Sequence, residues 1–124
     1  MNKKRPVNLD ISTIKLPITA YVSLMHRLSG IFLFAGVAVL LWMLDSSLDS
    51  QESFAAVRNI SSSLTCKVIV WVVLAGLAYH LVAGIRHLVM DCGIGESLKG
   101  GSTGAKIVLV LAIILIALAG LWIW

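Results

Sequence analysis

Three uncharged apolar blocks dominate this 124-residue chain: Leu28 to Leu44, Val68 to Ile85 and Ile107 to Trp124. The only side chain inside them that titrates near neutral pH is His80. Each block is 17 or 18 residues long, close to the roughly 20 needed to cross a hydrocarbon core about 30 Å thick once flanking side chains snorkel. Charged residues make up 13% of the chain and apolar residues 59%, whereas a soluble domain carries about a quarter charged residues. Hydrocarbon admits only helices or closed barrels, because every backbone polar group must be satisfied internally. The expectation is an all-α integral membrane protein with three transmembrane helices.

The basic residues orient those helices. Lys3, Lys4, Arg5, Lys15 and Arg27 precede or open the first span, Arg86, Lys99 and Lys106 flank the second connection, and only Arg58 and Lys67 flank the first. Eight against two puts the N-terminus and second connection in the cytoplasm and the C-terminal Trp122 and Trp124 at the opposite interface. The expected order is a cytoplasmic segment over residues 1–22, spans at 23–45, 67–91 and 106–124, a periplasmic connection at 46–66 and a cytoplasmic loop at 92–105. The net charge of +4 is explained by topology, and no soluble basic face suggests nucleic acid.

"MNKKR" has the charge of a signal-peptide start, but "PVNLDISTIKLP" follows where an apolar region should stand, so no cleavage is expected. No Arg/Ser-rich transit segment precedes the first span, which favours a bacterial inner membrane. Cys66 and Cys92 fall at opposite ends of the second span, too far apart to pair. The first connection has Phe54, Val57, Ile60 and Leu64 at loosely helical spacing and is read as a plain link. The second, "GESLKGGSTGAK", lacks the residue order of a phosphate loop and is read as a flexible turn.

The second span carries the strongest chemistry. His80 lies thirteen residues after Lys67, about 20 Å below the outer boundary and so about 10 Å from the inner one. An ionisable residue at that depth is a functional-site hypothesis by default, with a histidine bonded to a neighbouring helix as the structural alternative. Gly76 and Gly84 stand one turn to either side of it. A haem ligand needs such clearance for the macrocycle; close helix packing through small residues would also place glycine there. Haem propionates need cationic partners, and Arg86 and His87 follow within two turns. For Arg86 a positive-inside anchor explains the residue equally well.

On the first span, Ser23, His26, Arg27 and Gly30 follow i, i+3, i+4, i+7 spacing and form one polar face. Arg27 is seventeen residues short of the uncharged block's end, about 5 Å inside the inner boundary. The two spans run antiparallel, so His26, Arg27, Arg86 and His87 gather in the same leaflet as His80. Such a face suits propionates, or a neutral ligand whose carbonyl oxygens accept hydrogen bonds.

"RPVNLDI", "SLMHRLSG" and "HLVAGIRHLVMDCG", in this order across three spans, closely resemble the cytochrome b membrane-anchor subunit of succinate dehydrogenase, the respiratory complex II. The resemblance covers essentially the whole chain. It implies a haem-binding bundle completed by a second membrane subunit, with His80 as one axial ligand of haem b and the other supplied by that subunit. It implies a ubiquinone site at Ser23 and Arg27, with His26 and Arg27 near the propionates. It implies flavoprotein and iron-sulfur subunits on the cytoplasmic side, and electrons passing from succinate to quinone. The chain itself would perform no succinate chemistry.

Two other classes draw on the same residues. A small transporter could use His26, Arg27 and His80 as a polar relay, but the outer half of every span is free of charge. A structural anchor would hold no haem at all. An absorption spectrum separates the three.

Overall fold

The computed structural model describes Val7 and residues 10–124, and every regular element within that range is helical. Lys3, Lys4 and Arg5, three of the eight basic residues used for orientation, lie outside the described residues, as do Pro6, Asn8 and Leu9 of the first motif. A short 3-10 turn, Ile11–Thr13, leads to four helices. They are α1 (Ile18–Asp49), α2 (Gln51–Ser61), α3 (Leu64–Asp91) and α4 (Leu98–Ile123). Ahead of α1, Asp10 accepts from the Ser12 hydroxyl at 2.6 Å and from its N–H at 3.0 Å. Those two donors favour the carboxylate and hold the Asp10 carboxyl below its ordinary range.

Three of the four helices, α1, α3 and α4, are long and apolar enough to cross a membrane. They exceed the spans drawn from the apolar blocks: α1 has 32 residues, about 48 Å of helix against a core of about 30 Å. Helix therefore continues into both flanking polar zones, where snorkelling side chains and caps replace lipid contact.

Both connections are more regular than their composition suggests. Ser50 caps α2 by accepting from the Ser53 N–H at 3.1 Å, and Phe54, Val57 and Ile60 follow at helical spacing within it. The first connection is thus a capped helix packed on α1 rather than a plain link. Leu98 to Ala105 form the opening turns of α4, capped by Ser97, which accepts from the Gly100 N–H at 3.0 Å. The flexible turn expected over "GESLKGGSTGAK" is therefore confined to its first residues. Gly95 takes the left-handed turn at φ +78°, whereas Gly101 serves packing: it is buried, and a Cβ there would meet Thr19 of α1 at 3.5 Å. The real break is at the end of α3. Gly93, at φ +80°, closes that helix, with its N–H on the Met90 carbonyl and the Ile94 N–H on the Val89 carbonyl. Only a residue without a Cβ takes up that left-handed conformation cheaply.

α3 is the central helix, flanked by α1 and α4. The buried centre consists of Val22, Ala83, Ala105 and Val108, with Ile18, Tyr79 and Val82 against it. Small residues are the ones expected here, since lipid gives no hydrophobic drive for helix association and close van der Waals approach must supply it. Two hydrogen bonds reinforce the packing. The Tyr79 hydroxyl donates to the Val22 carbonyl of α1 at 2.9 Å, and the Trp71 Nε1–H donates to the Ile116 carbonyl of α4 at 3.0 Å.

The α1–α3 seam interlocks at four successive levels. A Cβ on Gly36 would fall 3.0 Å from Val73, and one on Gly76 would fall 2.9 Å from the Phe32 ring. Further along, a Cβ on Gly30 would fall 3.1 Å from His80 and one on Gly84 3.3 Å from His26. Each helix supplies both glycines and large side chains. Outside the seam the surface is apolar; Phe34, for example, is 87% exposed. Such a surface fits lipid or another apolar protein surface, not water.

Candidate functional site

Half-buried His80 is fixed by two groups on α1. Its Nδ1 lies 3.0 Å from the Ser29 hydroxyl and 3.1 Å from the His26 carbonyl oxygen, and the same Ser29 hydroxyl donates to that carbonyl at 2.7 Å. This triangle decides the tautomer. The carbonyl can only accept, and the serine proton is already committed to it, so Ser29 also has only lone pairs to offer. Nδ1 therefore carries a proton, and in the neutral ring Nε2 has the lone pair. A neutral imidazole held in that state is a metal ligand in waiting.

His26 stacks on it, and His87 in turn meets His26 at a tilt. The His26 ring lies 4.2 Å from that of His80, with 17° between planes, and 5.0 Å from that of His87 at 48°. His26 Nε2 is buried without a hydrogen-bond partner. Among the described residues, no three His, Cys, Asp or Glu side chains are arranged to hold a bare metal ion. The donor set suits an iron that arrives inside a macrocycle and asks this chain for one imidazole.

His26 and His80 border a cleft of about 630 Å³, together with Arg27, Gly30, Ile31 and Phe34. That is within the size range of cofactor and small-molecule sites. The walls of the cleft are apolar apart from the two histidines and Arg27. Arg27 is exposed at its rim, where a guanidinium could meet a carboxylate or a carbonyl oxygen. Ser23 is half-buried one helical turn before Arg27, beyond the residues that line the cleft.

The structure thus brings together His26, Arg27, His80 and His87 and leaves Arg86 apart. Arg86 turns toward α4, where its Nη2 donates to the Gly101 carbonyl at 3.1 Å and its Nε is buried against Gly104. Six positions after His80 on a helix with 3.6 residues per turn, it is rotated about 120° from the histidine face. Arg86 keeps the depth expected of it, but that rotation turns it toward α4 and away from the histidine face. The glycines also change partners. Gly76 and Gly84 receive Phe32 and His26 across the seam, and the glycine that faces the His80 ring is Gly30 on the facing helix.

Two contributors do not stand out in the sequence. Ser29 sits three residues after His26, the spacing at which a helical serine reaches back to a carbonyl, and that spacing is the available signal. Tyr79, next to His80, anchors α3 to the Val22 carbonyl; nothing in its spacing distinguishes it from an ordinary interfacial tyrosine.

Comparison with known proteins gives the family. Residues 1–119 match the model of the succinate dehydrogenase/fumarate reductase transmembrane subunit. The chain belongs to that family. It is 42% identical over 125 residues to the succinate dehydrogenase cytochrome b556 subunit of Coxiella burnetii, across 100% of both chains. The cytochrome b556 subunit of Rickettsia felis is 35% identical over 97% of this chain and 92% of its own. That of Paracoccus denitrificans is 29% identical over 92% of this chain and 88% of its own. As a member of this transmembrane family with three helices long and apolar enough to span, the chain is a multi-pass membrane protein.

Proposed function

We propose that this chain binds haem b through His80 and helps to form the site at which ubiquinone takes electrons from succinate. The observation that carries this reading is the His80 triangle, which ties up Nδ1 and leaves Nε2 as a metal-binding lone pair beside an open cleft. The cytochrome b name of its relatives supports the same cofactor. Bound there, haem supplies one-electron redox chemistry. The chain's own residues do the rest. Ser29 and the His26 carbonyl orient the ligand, the His26 ring packs flat on it, and Arg27 and His87 stand near enough to the cleft to neutralise propionates. Gly30 keeps the ligand's flank clear.

This chain would offer haem one imidazole and one apolar wall, and a second membrane subunit would supply a further ligand and the rest of the pocket. Ser23 and Arg27 are assigned to quinone: a hydroxyl donor and a fixed cation in a low-dielectric setting stabilise a carbonyl oxygen that gains negative charge on reduction. Flavoprotein and iron-sulfur subunits would dock at the membrane face nearest this site, delivering electrons from succinate.

Two measurements test the reading. The complex purified through a tag on this chain is expected to show a Soret band and a b-type α-band on reduction, and a preparation containing its partners but lacking those bands would refute haem binding. The eight-to-two basic asymmetry supports an N-terminus in the cytoplasm of a bacterial inner membrane and a C-terminus in the periplasm. A periplasm-dependent reporter fused after Trp124 should be active, and an inactive one, with a cytoplasmic reporter active in its place, would invert the orientation.

A further inference from the structure

Ser29 donates its only proton to the His26 carbonyl at 2.7 Å and presents its lone pairs to His80 Nδ1 at 3.0 Å. We propose that Ser29 is a positioning residue for the haem ligand, fixing the tautomer and ring plane of His80 and keeping its imidazole electron-rich. The inference rests on haem ligation by His80 and adds to it a determinant of the cofactor's potential.

The geometry shows why a hydroxyl is needed where a carbonyl is already present. The His26 carbonyl is itself part of the α1 backbone, and its oxygen is shared among the helix, Ser29 and His80. At 3.1 Å it is the longer of the two acceptors. Ser29 shares the Nδ1–H and at the same time bonds the carbonyl that takes the remainder, so removing it leaves Nδ1 with a single, backbone acceptor. The rest of the pocket confines the ring without orienting its proton: the His26 ring covers one face at 4.2 Å, and Gly30 leaves room beside Cε1. Only the oxygen pair distinguishes Nδ1 from Nε2. An acceptor on the far nitrogen raises the basicity of the coordinating one, which favours the higher positive charge of oxidised iron and holds the potential down.

The test uses the assembled complex with four variants: Ser29→Ala, Ser29→Thr, Ser29→Val and His80→Ala. Ser29→Ala takes away one oxygen from a helix that accepts alanine readily. Its haem midpoint potential should move upward, and the low-spin signal of the oxidised haem in electron paramagnetic resonance should change anisotropy as the imidazole plane loosens. Haem transfer to a competing apo-globin should become about tenfold easier, the lower end of what loss of such a partner costs. Threonine can make the same bond to the carbonyl three residues back and should restore all three properties, while valine, with threonine's shape and no hydroxyl, should behave as alanine does. Equal behaviour of threonine and valine would overturn the proposal in favour of a packing effect, and that comparison serves even if the alanine variant fails to assemble. Unchanged potential, resonance signal and retention in Ser29→Ala would overturn it too. His80→Ala separates the two levels: if it loses haem while Ser29 variants are silent, only the role of Ser29 falls, whereas a native spectrum in His80→Ala removes the ligand reading itself.

Discussion

Replacement of His80 by alanine is expected to remove most of the b-type absorption from the assembled complex, or to leave haem five-coordinate and reactive toward carbon monoxide. The loss in haem affinity should exceed the roughly 10–100-fold typical of losing an outer partner, because the bond to iron itself is lost. Gly30→Val should give a milder form of the same defect. Its Cβ would arrive 3.1 Å from His80 Cε1, too close for either group to stay put, so ring and cofactor must shift while the ligand remains chemically intact. Gly76→Val tests whether this is specific to the cleft: it presses on the Phe32 ring instead and should weaken helix packing with less effect on the spectrum. A native spectrum and potential in His80→Ala would exclude it as the ligand.

Arg27→Leu should slow succinate–quinone turnover roughly 100-fold, and Ser23→Ala by about tenfold, in keeping with the loss of a preorganised cation or hydroxyl donor at a developing oxyanion. Succinate oxidation with a soluble dye acceptor, which does not use the membrane site, should stay near normal in both. Arg27→Lys should recover only part of the rate, since the charge is kept but the planar, two-pronged donor is not. Ser23 lies outside the lining of the cleft shared by Arg27 and His80, so the two variants test different parts of the proposed site. Arg27 acting on propionate alone would instead give a shifted haem potential with quinone kinetics intact. Normal quinone kinetics in both variants would take both residues out of the site.

The three spans are legible in the sequence because hydrocarbon imposes a single demand, an uncharged stretch of sufficient length, and this chain meets it three times. The helical character of Gln51–Ser61 and Leu98–Ala105 is not. Serine and glycine are ordinary loop residues, and only their position as caps and as close-packing sites on α1 makes them helical here. Among site residues, His80 announces itself by its depth and His26 by its spacing to Arg27. Depth says nothing of rotation, however: the height of Arg86 is legible, while its direction toward Gly101 depends on α4. Ser29 is hidden for the opposite reason. Its value comes from a side chain fifty-one positions away, and no local pattern reports a partner on another helix.

The alternating glycine contacts of the α1–α3 seam have a mechanical consequence. With Gly36, Gly30, Gly76 and Gly84 each receiving a side chain from the other helix, a slide of one turn, about 5.4 Å, would carry bulky groups off their glycines and into neighbouring backbone at several heights together. The pair behaves as a toothed rack with one seating. Shear between these helices, a common route by which membrane proteins transmit signals, is opposed by that seating, which keeps His26 of α1 and His80 of α3 in register. A haem held at His80, as proposed above, would gain from that stiffness, because surroundings that do not rearrange add little to the energy each electron transfer must overcome.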